Sequence, residues 1–399
     1  MLAAQFQGLA KMESAGLGAP ALVESTADGG ASPRATTGTT PISFAALGQR
    51  LPALDGLRGL AVLAVVGFHG GAPLTAGGFI GVDVFFVLSG FLITSIIATE
   101  QLTTGSINLR NFYMRRVLRL APALLLLLAV YAAGSIAFSK TASRNLIDAL
   151  ITLFYATNWA RAYSLHAPLD LGHTWSLSIE EQFYLTWPLL LGLLLRRLGR
   201  VRTQQVALGL AGFAWLARAA LVFAGSTELR IYSGLDTHAD GLLLGCALAL
   251  AGVTDNARKT GRVLPSYAPA VALVVLCAFL LLGNWKSREM FLGGFAAVNI
   301  AAATLIASIA LGTAEGPASR ILSLLRFRPL IWVGTISYGV YLWHYPIFRM
   351  LKALGFSRWP RLGIGVTLTF ALASLSFYLL EQPALRMKKR FELRRSAVP

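Results

Sequence analysis

Apolar runs about as long as a bilayer core is thick recur along most of this chain, and that recurrence decides its fold class. A helix rises about 1.5 Å per residue, so about twenty apolar residues cross the roughly 30 Å hydrocarbon core. Such runs occupy residues 53–72, 78–98, 117–138, 176–195, 203–224, 236–252, 267–283, 290–312, 330–350 and 362–381. The 399 residues are 55% hydrophobic and only 13% charged, where a soluble domain carries roughly twice that charge. The expected fold is an all-α polytopic membrane protein with about ten transmembrane helices.

The distribution of charge tests the count. Residues 146–160, "LIDALITLFYATNWA", are short for a crossing and are expected to form an interfacial or re-entrant helix. Counted as an eleventh span, they would put "RRLGRVR" and the later basic loops outside. With ten spans and both termini cytoplasmic, most Lys and Arg gather inside, including Arg196, Arg197, Arg200, Arg202 and the cluster from Arg386 to Arg395. The net charge of +17 is therefore a topological signal, and nucleic acid is excluded as a partner. Residues 1–50, rich in Gly, Ala, Ser and Thr without periodicity, are expected to form a disordered cytoplasmic tail. The membrane domain is placed at 51–385 and a basic cytoplasmic tail at 386–399. Cys246 and Cys277 both lie in apolar runs and have no metal-binding spacing.

Ionisable residues at membrane depth cost roughly 3 kcal/mol each on insertion scales and mark functional candidates. In "LDGLRGLAVLAVVGFHGG" (54–71), Arg58 and His69 are eleven residues apart. That separation is three turns plus about 20°, so both lie on one face, roughly 16 Å apart along the axis. Imidazole titrates near neutrality, which suits His69 to serve as a general base. Asp83, in "GGFIGVDVFFVLSGFLIT" (77–94), is expected to orient His69 or Arg58, whereas the glycines around it read as helix-packing positions.

In "RNFYMRRVLRLAP" (110–122), Arg115, Arg116 and Arg119 cluster on a helix surface. A helix beginning here would add its N-terminal dipole and free N–H groups to guanidiniums that suit phosphates. "HTWSLSIEEQFYLTWPLL" (173–190) carries His173, Trp175, Tyr184 and the adjacent carboxylates Glu180 and Glu181. An aromatic belt accounts for Trp175 and Tyr184 but not for two acids in an apolar run. "DTHAD" (236–240) gives a weak metal signal with an incomplete ligand set, and no metal is expected. His344, in "SYGVYLWHYP" (337–346), is a candidate for lining an acceptor cavity.

Taken in order, "LDGLRGLAVLAVVGFH", "GGFIGVDVFFVLSGFLIT", "NFYMRRVLRLAP", "HTWSLSIEEQFYL", "SYGVYLWHYP" and "LEQP" resemble the acyltransferase-3 family of integral membrane O-acyltransferases. The resemblance implies a multi-pass protein of the bacterial cytoplasmic membrane. Such a protein moves an acetyl or other short acyl group from acyl-CoA to a hydroxyl of a surface polysaccharide, a glycolipid or a macrolide. The family's motif of an arginine and a histidine with ten residues between them falls on Arg58 and His69, its Arg-x-x-Arg motif on Arg116 and Arg119, and its glutamate motif on Glu180 and Glu181. The extracytoplasmic hydrolase-like domain of some relatives is expected to be absent.

Combined, these readings dock the phosphates of acyl-CoA, acetyl-CoA above all, on Arg115, Arg116 and Arg119. The thioester then reaches His69 past Arg58, with Glu180 or Glu181 fixing the imidazole tautomer. His173, Trp175, Tyr184 and His344 meet the acceptor. Direct transfer is preferred, because no cysteine stands in the motifs. Two competing readings are a secondary transporter, disfavoured by the lack of an internal repeat, and a subunit that passes acyl groups across the membrane to a partner enzyme.

Overall fold

The computed structural model describes residues 51–251, 264–311 and 322–388. The expected N-terminal tail, the basic stretch holding Arg258, Lys259 and Arg262, and residues 389–399 of the basic C-terminal tail lie outside the described residues. Among the described residues all regular structure is helical. The first half comprises α1 (Pro52–Gly70), α2 (Gly81–Thr104), α3 (Leu109–Phe138), α4 (Ala142–Leu153), α5 (Thr157–Ala162) and α6 (Trp175–Phe223). It is followed by α7 (Glu228–Ser233), α8 (Leu235–His238), α9 (Asp240–Leu250), α10 (Ala268–Leu282), α11 (Phe295–Leu311), α12 (Arg328–Thr335), α13 (Ser337–Ala353), α14 (Arg358–Ser376) and α15 (Gln382–Lys388). Single π-helical turns precede α11 at Met290–Gly294 and α15 at Phe377–Glu381.

Among the described residues, 6 helices are long and apolar enough to cross a membrane. The 49-residue α6 contains two of the expected spans, divided at Gly199, whose φ of 71° and ψ of 176° break the helix within "RRLGR". The other three expected spans fall on shorter or divided helices. The span expected at 236–252 is split at Ala239, where the Thr237 carbonyl accepts from Arg218 instead of from the helix ladder. That at 267–283 is the 15-residue α10, and 330–350 is divided at Ile336 between α12 and α13. Residues 146–160 fall on α4 and α5, which at 12 and 6 residues are too short to cross.

Apolar side chains gain little by leaving lipid for one another, so close backbone approach must hold such helices together. Of the apolar window of α2, 83% is buried inside the protein, against 28% for α3. The most extensive interhelical packing is between α2 and α9. It is reciprocal: a methyl group on Gly90 would overlap the Leu242 carbonyl, and one on Gly245 would overlap the Val87 carbonyl. A similar exchange locks α1 to α12, where Gly59 meets the Leu330 carbonyl and Gly334 meets the Asp55 carbonyl. Trp187 Nε1–H, donating to Thr94 Oγ1 at 2.9 Å, ties α6 to α2. α1 packs against α2, α12 and α13, and its Arg58 and His69 line cavities within the helical body.

Gly90→Val is expected to abolish the detergent-stable folded form, because backbone at Leu242 cannot withdraw without separating α2 from α9. The control Gly209→Ala, whose added methyl meets nothing within 4 Å, should leave the melting temperature unchanged or raise it, since alanine is the better helix former by about 1 kcal/mol. Thermal unfolding followed by size-exclusion chromatography makes the comparison.

Candidate active site

His69 occupies the last turn of α1, which Gly71 closes in the left-handed region at φ 73°. Its Nδ1 lies 3.0 Å from His344 Nε2. The far side of the His344 ring settles the proton arrangement. His344 Nδ1 sits 2.6 Å from the Tyr341 carbonyl and 3.2 Å from that of Val340. A carbonyl only accepts, so Nδ1 must carry the hydrogen. A neutral His344 then offers a lone pair at Nε2, His69 Nδ1–H donates to it, and His69 Nε2 is left as a basic atom.

A third imidazole is fixed by the same logic. Pro346 has no N–H, so the Leu342 carbonyl, four residues earlier in α13, loses its helical partner. His173 Nε2–H donates to that carbonyl at 3.2 Å. Its Nδ1 is buried and has no hydrogen-bond partner among the described residues. The motif "HYP" thus does two tasks: its histidine holds His69, and its proline frees the acceptor that holds His173.

His69 and His173 line an open cavity of about 630 Å³ with Phe68, Phe79, Trp175, Tyr232, Trp285, Tyr345 and the guanidinium of Arg161. A second open cavity, of about 700 Å³, is lined by Arg58, Arg116, Arg119, Ser89, Glu180, Glu181 and Tyr184. Val82 and Tyr341 form part of both walls. The Tyr341 hydroxyl donates to the His173 carbonyl at 2.9 Å and lies 2.6 Å from Ser176 Oγ. Arg58 and His69 therefore do lie on the inward face of one helix, but in adjoining chambers that meet at Tyr341.

In the arginine chamber, the Arg116 guanidinium stacks 3.9 Å above the Tyr184 ring centroid, a cation–π contact that fixes its position. Ser89 Oγ–H donates to Glu180 Oε1 at 2.7 Å. Arg58 Nε is buried without a partner among the described residues. Three guanidiniums against two carboxylates, one of them held by a hydroxyl, leave a cationic surface that fits phosphate groups. No group of His, Cys, Asp or Glu among the described residues could hold a metal ion.

Several expectations are corrected by this geometry. Arg115 does not line the chamber; it lies 3.9 Å from Glu100, a carboxylate whose other oxygen accepts from the Asn108 N–H at 2.8 Å. The helix carrying the arginines starts at Leu109 and is capped by the Asn108 side chain. Arg116 and Arg119 are thus about two turns or more inside it, away from free N–H groups. Glu180 and Glu181 line the arginine chamber and do not hold His69; His344 does, from behind the ring, and lines neither cavity. Tyr184 also belongs to the arginine chamber. Asp83 orients neither His69 nor Arg58, because its Oδ1 pairs with His238 Nε2 at 3.0 Å. "DTHAD" is dispersed: His238 goes to Asp83, Asp240 to Arg218 and Asp236 to Arg230. Arg161, Tyr341, Tyr345 and Ser89 were missed by sequence reading, since an arginine outside the apolar runs, aromatic residues and a serine carry no spacing signal. Both cysteines are free, as expected.

A helical body with six helices long and apolar enough to cross a membrane encloses a histidine chamber beside a cationic one among the described residues. Residues 51–380 match the acyltransferase domain of the acyltransferase-3 family, and the chain belongs to that family. It is 37% identical over 354 residues to peptidoglycan O-acetyltransferase OatA of Listeria monocytogenes, covering 84% of this chain and 55% of that protein. It is 36% identical over 357 residues to the putative peptidoglycan O-acetyltransferase YrhL of Bacillus subtilis, covering 84% and 54%. It is 33% identical over 348 residues to O-acetyltransferase OatA of Staphylococcus aureus, covering 84% and 57%. The chain thus spans about half the length of these relatives. No solved structure matches it.

His344→Ala removes the acceptor for His69 Nδ1–H and should lower the rate of acyl transfer by about 10²-fold or more, with little change in KM. His344→Gln, whose amide oxygen can accept the same hydrogen bond, should retain more activity than the alanine variant. Equal rates for the two variants would remove the tautomer-holding role.

Proposed function

We propose that this protein is a membrane O-acyltransferase that moves a short acyl group, acetyl in the first instance, from acyl-CoA to a sugar hydroxyl, with His69 as general base. One observation carries the reading: the basic His69 Nε2, fixed through His344, stands in a chamber that adjoins a cluster of three guanidiniums. Arg58, Arg116 and Arg119 would hold the phosphates of the donor. The donor supplies an acyl carbon activated as a thioester.

The protein's own residues do the rest. The acceptor hydroxyl enters the chamber of His69 and gives its proton to Nε2 as its oxygen attacks the acyl carbon. His344 accepts the Nδ1–H throughout and so keeps Nε2 available. The C–S bond then breaks, and His69 returns the proton to the departing thiolate, which leaves as the thiol. No cysteine lines either chamber, which supports direct transfer over a thioester on the protein. The sugar acceptor is supported by the relatives named for peptidoglycan and by the rings of Trp175, Tyr232, Trp285 and Tyr345, whose faces suit the C–H surfaces of a sugar. None of the three relatives above is named for a macrolide. The bacterial cytoplasmic membrane is the proposed location, with both termini and the arginine chamber facing the cytoplasm, as the charge bias across the spans supports.

Purified protein in lipid nanodiscs with radiolabelled acetyl-CoA and a soluble glycan acceptor tests the reading. Wild-type protein should label the glycan, and His69→Ala should not, while remaining folded. Undiminished labelling by His69→Ala would eliminate the base assignment. Separately, Arg116→Ala with Arg119→Ala should raise KM for acetyl-CoA by about tenfold or more, two charge-assisted contacts being worth over ~1.4 kcal/mol. The same pair of substitutions should alter KM for dephospho-acetyl-CoA less, as expected if the guanidiniums grip phosphates.

A further inference from the structure

Arg161, on α5, is the cationic side chain in the wall of the histidine chamber. Three other arginines have acidic partners: Arg218 pairs with Asp240, Arg230 with Asp236 and Arg349 with Asp170. Arg161 has none among the described residues. Its electrostatic neighbours are the phenols Tyr345, Tyr232 and Tyr341, and its Nε is buried without a hydrogen-bond partner. Room has been made for it, since a methyl group on Gly172 would stand 2.7 Å from its Nη1. Tyr345 links it to the base, packing edge-to-face on His69 at 4.9 Å and stacking on His173 at 5.0 Å between ring centroids. The guanidinium acts electrostatically on both His69 and His173.

A fixed cation beside a general base opposes its protonation, unless a negative charge forms next to both in the same step. Addition of a hydroxyl to a thioester forms one. As the acceptor oxygen bonds to the acyl carbon and its proton passes to His69 Nε2, the C=O π pair moves onto the carbonyl oxygen. That oxyanion lies between imidazolium and guanidinium until it re-forms the carbonyl and expels the thiolate, which takes the proton from His69.

We propose that Arg161 is a further catalytic residue, the cation that receives the tetrahedral oxyanion in the chamber of His69. This rests on the acyl-transfer reading above. Loss of a group that stabilises charge only in the transition state lowers kcat and leaves ground-state binding alone. The identity of the acceptor should not matter, because water attacking the thioester makes the same oxyanion.

The test uses the full chain in nanodiscs with acetyl-CoA, measuring release of the thiol with water alone and with a neutral methyl glycoside as acceptor. Arg161→Met should lower kcat by about 10²- to 10³-fold in both reactions, as loss of an oxyanion donor does elsewhere. KM for acetyl-CoA should change by less than about twofold. Arg161→Lys, which keeps the charge, should recover at least about tenfold over the methionine variant. Gly172→Ala, which displaces the guanidinium without removing it, should fall between wild type and Arg161→Met. If Arg161→Met does not fold, Arg161→Gln against Arg161→Lys makes the same comparison. An unchanged kcat in a folded neutral variant overturns the proposal, as does a loss confined to KM for carboxylate-bearing acceptors, which would assign Arg161 to acceptor recognition. Wild-type protein that never cleaves acetyl-CoA overturns the acyl-transfer reading as well. Cleavage abolished by His69→Ala but untouched by Arg161→Met overturns this inference alone.

Discussion

The hydrogen bond from His69 to His344 is the interaction on which the proposed chemistry of this fold depends. Its direction is set outside the pair, by backbone carbonyls of α13 that can only accept and so fix the hydrogen on His344 Nδ1. The lone pair at His344 Nε2 and the lone pair left at His69 Nε2 both follow from that constraint. In a serine-hydrolase triad a carboxylate does this orienting. Here a neutral imidazole does it, which avoids placing a full negative charge beside the base in a low-dielectric interior.

The scaffold must hold that geometry where apolar burial gives little net attraction between helices. It does so with glycines that let backbones touch, at Gly90 and Gly245 between α2 and α9 and at Gly59 and Gly334 between α1 and α12. Buried charges away from the chambers are neutralised in place, as Arg218 is by a bidentate contact with Asp240 and a further donation to the Phe291 carbonyl. At the chambers, Arg58 and Arg161 each keep a buried Nε without a hydrogen-bond partner among the described residues.

Helix content and the inward face of α1 were legible because both are local periodicities. Twenty apolar residues and an eleven-residue spacing have the same geometric meaning wherever they occur. The clustering of Arg116 and Arg119 was legible for the same reason. Partnership was not. Asp83 went to His238, Arg115 to Glu100, and Glu180 to Ser89, and all but the second of these join residues more than ninety positions apart in a chain whose pattern cannot say which faces meet. The division near Ala239 escaped sequence reading because hydropathy registers apolarity and does not register a carbonyl drawn away by a distant arginine.

The sequence by itself determined that this chain is a helical membrane protein of the acyltransferase-3 family, and that one helix face carries an arginine and a histidine at two depths. Those properties follow from composition, period and order of motifs, which are fixed along the chain. Only the tertiary structure decided which group holds His69, which arginines share a chamber, and that Tyr341 stands where the two chambers meet. A hydrogen bond joins atoms about 3 Å apart in space whatever their separation in sequence, so such choices are made when α1, α6 and α13 pack together and not before.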